Sequence, residues 1–189
     1  MKPVYKGQLE YIKKKKIQRA IICLISYLII AAIFLTGYLT TGSRENILTL
    51  MAILGSLPAA KFTVSFFMLL PYRSQTREVY EEVQRLSGEA ILYTDILIST
   101  EKKILPTDFV VIRDGNLCGY ASHPKYDTAY AQDYLAGMYK RNGLKPNIKI
   151  FTDKNKFLKR VGELAAMPTD EKQAAKDTRT AELLLTLIL

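Results

Sequence analysis

Residues 20–40 contain no charged side chain, and no other feature of the chain limits its fold so strongly. The run reads AIICLISYLIIAAIFL and continues through TGYLT. At ~1.5 Å rise per residue, a helix of this length spans roughly 31 Å, about the thickness of a hydrocarbon core. Lipid offers no partner to a backbone N–H or C=O, so such a segment has to be helical. A second apolar stretch, residues 47–70, follows the polar link Thr41-Gly42-Ser43-Arg44-Glu45-Asn46 and is long enough to cross with some tilt. A cleaved signal peptide would have a shorter apolar region and a small-residue cleavage site. The expectation is an uncleaved transmembrane helical hairpin over residues 20–71.

Basic residues give the expected orientation. Lys2, Lys6, Lys13, Lys14, Lys15, Lys16 and Arg19 precede the first apolar run, the link has only Arg44, and Arg73 and Arg77 follow the second run. Positive residues stay on the cytoplasmic side, which places both termini in the cytoplasm of a multi-pass protein of the cell membrane. The scarcity of cysteine, Cys23 and Cys118 only, agrees with a reducing compartment and excludes a disulfide framework.

The formal net charge of +9 suggests nucleic acid until it is divided along the chain. Residues 1–71 hold nine basic and two acidic side chains, and residues 72–189 hold 18 and 16. The excess lies around the apolar segments, so nucleic acid is not an expected partner. The run Lys13, Lys14, Lys15, Lys16 is a topology determinant that could also hold anionic lipid headgroups, at ~1 kcal/mol per basic residue. Lys61 lies inside the second apolar stretch, where a lysine costs about 2.5–3.5 kcal/mol on insertion scales. It could mark an ion or substrate path, or a charge pair with a partner subunit. The plainer reading is that Pro58 breaks the helix, the bilayer thins, and Lys61 reaches the interface.

Beyond residue 71 the pattern changes. Ser74 is a candidate cap for a helix over 75–86, with Val79, Val83 and Leu86 on one face. Residues 90–99, 107–113 and 116–121 read as strands, and Asp114-Gly115 is a type I′ hairpin signal. Asp127 or Thr128 caps a helix to Arg141, with Ala131, Leu135 and Met138 inward and Asn142-Gly143 closing it. Residues 147–151 read as a fourth strand. Thr152 or Asp153 caps a helix to Ala166, with Phe157, Val161 and Leu164 inward. After Pro168-Thr169-Asp170 comes a segment ending AELLLTLIL, too short to span a bilayer and expected to pack on the domain or on a partner. The divisions are 1–19, a basic N-terminus; 20–71, the hairpin (20–40 and 47–70); 72–166, an αβββαβα sandwich of α/β or α+β class; and 167–189. The helix from 128 is long enough for a crossover into a parallel strand.

That order, with Asp108-Phe109-Val110-Val111-Ile112 before Gly115, Gln132 early in the next helix, and NIKIF at 147–151, resembles the nuclease-related domain, NERD, of the PD-(D/E)XK fold. The resemblance covers residues 78–160 and implies a Mg²⁺-dependent nuclease core, of a kind often attached to membrane helices in bacteria. Active members carry Glu-x-Lys on the third strand. Here Tyr120 and Ser122 align with those positions, leaving Asp108 as the candidate catalytic and metal-ligating residue. Glu78, Glu81, Glu82 or Lys125 would have to migrate in. One carboxylate is a poor site for a hard cation, so the resemblance implies a degenerate nuclease without a cofactor.

Other chemistry is thin. There is one histidine, His123, and no Walker A, G-x-G-x-x-G, H-E-x-x-H or G-x-S-x-G. Cys118 reads as a core residue, Asp95 as solvent-facing by strand alternation, and Asp108 as a solvated carboxylate at a strand start. Tyr126, Tyr130, Tyr134 and Tyr139, with Lys140, Arg141 and Lys145, could stack on nucleic acid. Packing of Tyr130 on Tyr134 is the simpler reading. The sequence thus favours a membrane-anchored scaffold or binding protein, with a protein partner or a homo-oligomer, over a tethered nuclease using Asp108 or a transporter or channel subunit using Lys61.

Overall fold

The computed structural model describes residues 6–168 and 170–189, so Lys2 of the basic flank and Thr169 of the last turn lie outside the described residues. The elements are α1 (Tyr11–Thr41), α2 (Ile47–Leu69), α3 (Arg77–Ser87), β1 (Ile91–Ser99), β2 (Ile104–Arg113), β3 (Asn116–Tyr120), α4 (Thr128–Arg141), β4 (Asn147–Phe151), α5 (Lys154–Ala165) and α6 (Glu171–Leu187). They form two compact units. One is Ile12–Arg73, and the other joins the described residues up to Tyr11 with those from Ser74 to Leu189.

The first unit is the helical pair α1 and α2, each long and apolar enough to cross a membrane. α1 begins at Tyr11, well before residue 20, so Lys13, Lys14, Lys15, Lys16 and Arg19 are helical. Hydropathy marks where a helix would meet lipid rather than where it starts, and lysine is a good helix former. Asn46 caps α2 by accepting the Thr49 N–H at 2.9 Å. The expected break at Pro58 does not occur, because α2 runs through it without interruption. In an apolar surrounding the rest of the i→i−4 ladder has no competing water, and one missing donor is tolerated. Ala52 and Ala59 are buried, and Thr63, one turn on, meets Cys23 Sγ at 3.2 Å and Tyr27 Oη at 3.1 Å. These residues mark the α2 face that meets α1. A Cβ on Gly37 would lie 2.6 Å from Asn46 Oδ1, so only glycine permits this close approach of helix and link.

The second unit is built on a four-stranded sheet in the order β1-β2-β3-β4. β1, β2 and β3 run antiparallel, and β4 pairs in parallel with β3 after the α4 crossover. The Asp114-Gly115 turn has φ of 48° and 70°, the left-handed pair that a type I′ hairpin requires. Phe109, Val111 and Cys118 pack with Val83 of α3 and Phe157, Val161 and Leu164 of α5. By alternation Val110, Ile112 and Leu117 point to the opposite face, yet they are also buried. α4 lies against β4 and α6 against β1 and β2, with the Tyr139 hydroxyl of α4 donating to the Thr180 carbonyl of α6 at 3.0 Å. The sheet is therefore covered on both faces, a sandwich whose buried Leu, Ile, Val and Phe side chains contribute ~1.5–3 kcal/mol each.

Further differences from expectation lie at the starts of α3 and β2, and the terminal segment takes a definite form. α3 starts at Arg77 after Thr76 rather than after Ser74. β2 starts at Ile104 rather than Thr107, with Pro106 in register with Leu97. The terminal segment is the helix α6, in which Ala181 and Leu184 are buried and after which Ile188 bridges to Ile98. The AELLLTLIL segment therefore packs on β1.

Candidate functional site

The chain leaves the globular unit at Tyr11 and rejoins it at Ser74. Both junctions are fastened to β1. The Thr94 N–H donates to the Gly7 carbonyl at 2.9 Å, and the Asp95 carboxylate accepts the Gln75 N–H at 3.1 Å. Gly7 has φ of 78°, and a Cβ there would lie 2.5 Å from Tyr93 Cδ1. The Lys6 ammonium donates to the Leu185 and Ile188 carbonyls at the end of α6, where the helix presents its negative pole. The Tyr11 hydroxyl donates to the Leu189 carbonyl at 2.8 Å. Residues 6–11 are thus structural members of the domain, although the sequence places them in a basic tail.

Asp95 was expected to face solvent. It is 1 % exposed, because helices cover both faces of the sheet and the central residues of β1 have no wet side. Its φ is 54°, a left-handed conformation that aspartate tolerates better than most residues. The β1–β2 register pairs Thr94 with Phe109 and Ile96 with Thr107, and it skips the position between them. That position holds Asp95 and Asp108.

Asp108, expected as a solvated residue at a strand start, is the fifth residue of β2 and only 9 % exposed. The longer strand explains the difference. Its carboxylate accepts the Ser122 N–H at 2.5 Å. The Gln75 amide reaches Ser122 Oγ at 3.3 Å. Tyr126 bonds Thr107 Oγ1 at 2.9 Å, and its phenol is pushed up to about 12, chiefly by burial, against the Thr107 bond and with help from the Asp108 and Asp127 charges. The phenol of Tyr120 is raised too, by burial and then by Asp108.

These residues do not suit a Mg²⁺ ion. Among the described residues no three His, Cys, Asp or Glu side chains gather where a metal could sit. The acids named as partners for Asp108 in the sequence are engaged or exposed elsewhere. Glu81 pairs with Arg77 at 2.9 Å, Glu82 pairs with Lys154 at 2.7 Å, and Glu78 lies on the exposed side of α3. The Lys125 N–H meets His123 Nδ1 in an exposed loop, and the Gln132 amide bonds Thr128 in its own helix.

The remaining candidates are placed as follows. Cys118 is buried, and burial pushes its thiol up to about 12 against the pull of Arg160 and Lys149, which removes thiolate chemistry near neutral pH. Tyr130 stacks on Tyr134 with centroids 6.3 Å apart. Their hydroxyls bond Thr100 Oγ1 and the Ser99 carbonyl, and Lys103 sits 4.6 Å over the Tyr130 ring, so the pair is committed to the β1–β2 turn. In the helical unit Lys13 and Lys14 are exposed, while Lys16 donates to the Leu70 and Tyr72 carbonyls and closes the end of α2. Lys61 is exposed. It lies two residues from both Ala59 and Thr63, which at 100° per residue places it on the opposite side of α2 from α1.

The chain matches no protein-family model, no curated protein sequence and no solved structure.

Proposed function

We propose that this protein is a membrane-anchored binding protein, with α1 and α2 as the anchor and the α/β unit as a non-catalytic cytoplasmic scaffold for a protein partner or a second copy. The observation that carries this reading is the double fastening at β1. Residues before α1 and after α2 belong to one folded unit and are bonded to the consecutive residues Thr94 and Asp95. This double fastening supports a domain on one side of the bilayer, and the basic flank supports the cytoplasm as that side. The non-catalytic reading is supported by Asp108, whose carboxylate is used to hold Ser122.

Cysteine labelling of the full chain in intact cells tests the topology. Cys23→Ser removes the one cysteine outside the domain. Ser43→Cys should then react with a membrane-impermeant maleimide from outside, and Thr152→Cys only after permeabilisation. Labelling of Thr152→Cys in intact cells, or recovery of the chain from cytosol without detergent, would sink the reading.

A further inference from the structure

We propose that the open edge of β4 is a docking strand for an acidic, extended segment of a partner polypeptide, which adds to the sheet as a fifth strand. The proposal rests on the reading of the domain as a binding module and names the surface and the partner chemistry.

The two ends of the sheet differ. The β1 edge is occupied, by Gly7 at Thr94 and by Ile188 and Leu189 at Ile98 and Leu97. β4 is the last strand in the order, and among the described residues no strand or loop pairs with its outer side. The parallel register sends Asn147 N–H to the Gly115 carbonyl, and the Phe151 carbonyl accepts from the Ala121 N–H. In a parallel ladder alternate residues direct both main-chain groups to the same neighbour. Asn147, Lys149 and Phe151 therefore face β3, and Ile148 and Ile150 present their N–H and C=O groups outward.

Charge gathers around this edge. Residues 140–160 hold eight basic side chains and one acid, Asp153, although the domain as a whole is nearly balanced. Lys154 is matched by Glu82 and Arg160 by Glu163. Lys140, Arg141, Lys145, Lys149, Lys156 and Lys159 are exposed and make no ion pair among the described residues. They lie at the end of α4, on the loop into β4, on β4 itself and on the outer side of α5, so they frame the edge at both ends. Lysine on an edge strand also deters pairing with a neutral strand. The same charge selects an acidic one, since main-chain bonds supply affinity and side chains supply choice.

A nucleic acid would want exposed rings for stacking. The aromatic residues of this segment, Phe151 and Phe157, are half-buried and buried, and the tyrosine pair is committed to the β1–β2 turn. A lipid surface could meet the charges but not the main-chain groups of Ile148 and Ile150.

The test uses the full chain in zwitterionic nanodiscs and a fluorescent peptide of alternating glutamate and valine. Comparison probes are an alternating lysine and valine peptide, an oligothymidylate and phosphatidylglycerol vesicles. The acidic peptide should bind saturably and protect the Ile148 and Ile150 amides from hydrogen exchange, a readout that needs no variant. Reversal of three exposed charges, Lys145→Glu, Lys149→Glu and Lys156→Glu together, should weaken binding by about tenfold or more. Preference for oligothymidylate or anionic vesicles would overturn the proposal. So would no peptide binding, or binding without protection of the two amides. Maleimide labelling of the full chain in intact cells separates the two ideas, since a failed docking strand leaves the topology pattern unchanged.

Discussion

The Thr94 N–H donates to the Gly7 carbonyl at 2.9 Å, and this bond makes the segment before the first long helix part of the β1 edge. The contact depends on glycine. Gly7 combines φ of 78° with a Cβ position 2.5 Å from Tyr93 Cδ1. Gly7→Ala should cost about 1–2 kcal/mol for the left-handed backbone, plus whatever the displaced Tyr93 ring loses. The expected outcome is a lower denaturation midpoint and faster proteolysis at the lysines flanking residue 7. Unchanged proteolysis would show that the segment is not held on β1.

Asp177 joins α6 to the β2–β3 turn. Its carboxylate accepts the Asp114 N–H at 2.7 Å and the Gly115 N–H at 2.9 Å, and the residue is 4 % exposed. Asp177→Ala strips two turn amides of a charged acceptor and should cost about 2–4 kcal/mol. Urea unfolding of the full chain in detergent, followed by a domain tyrosine signal, measures it. Asp177→Asn keeps one acceptor oxygen and should lose less.

Asp127 gives a pH signature. The Tyr130 N–H and then Lys103 hold its carboxyl below the ordinary 3.8, while the residue caps α4. A depressed folded value means that the stabilisation is complete above the unfolded value and fades as pH falls through the folded one. The stability gap between wild type and Asp127→Asn should therefore be full above the ordinary 3.8 and shrink as the pH falls below it. A gap that persists in acid would contradict the assignment.

Much of the fold was legible because period and punctuation agreed. Phe157, Val161 and Leu164 sit at helical spacing after the Asp153 cap, and all three are buried. Asp114-Gly115 specified its hairpin. What sequence could not show came from long-range pairing. The second strand read as starting at Thr107, yet it starts at Ile104, with Pro106 in register with Leu97. Asp95 read as a wet residue because alternation assumes one wet face, and this sheet has none. Gly7 and Lys6 looked like a basic tail because nothing local announces that Thr94 and the end of α6 will receive them. The basic stretch around β4 was visible in the composition but averaged away over residues 72–189. Counting charge in windows the size of one element would have found it.

Asp108 offers a direct check on catalysis. Its carboxylate holds the Ser122 N–H, and no third metal-binding group stands by among the described residues. The full chain should cleave neither DNA nor RNA when Mg²⁺ is added, and Mg²⁺ should not raise its melting temperature. Asp108→Ala should destabilise the domain by about 1–3 kcal/mol through the lost acceptor. Mg²⁺-dependent cleavage that disappears in Asp108→Asn would overturn the proposal of a non-catalytic domain.

Lys61 separates anchoring from transport. It lies on α2 away from Ala59 and Thr63, so the helix pair does not enclose it. α2 ends at Leu69, eight residues later, so at ~1.5 Å per residue the ammonium has roughly 12 Å of helix to travel past. Side chains on a helix lean towards its N-terminus, which makes that reach harder. An anchor gains from removing such a charge, by an amount on the order of the 2.5–3.5 kcal/mol insertion cost. Lys61→Leu should therefore insert at least as well as wild type in a glycosylation-mapping assay and leave the melting of the α/β unit unchanged. A variant that inserts normally but abolishes an ion or solute flux carried by the wild-type chain would assign Lys61 to a pathway and displace the anchor reading.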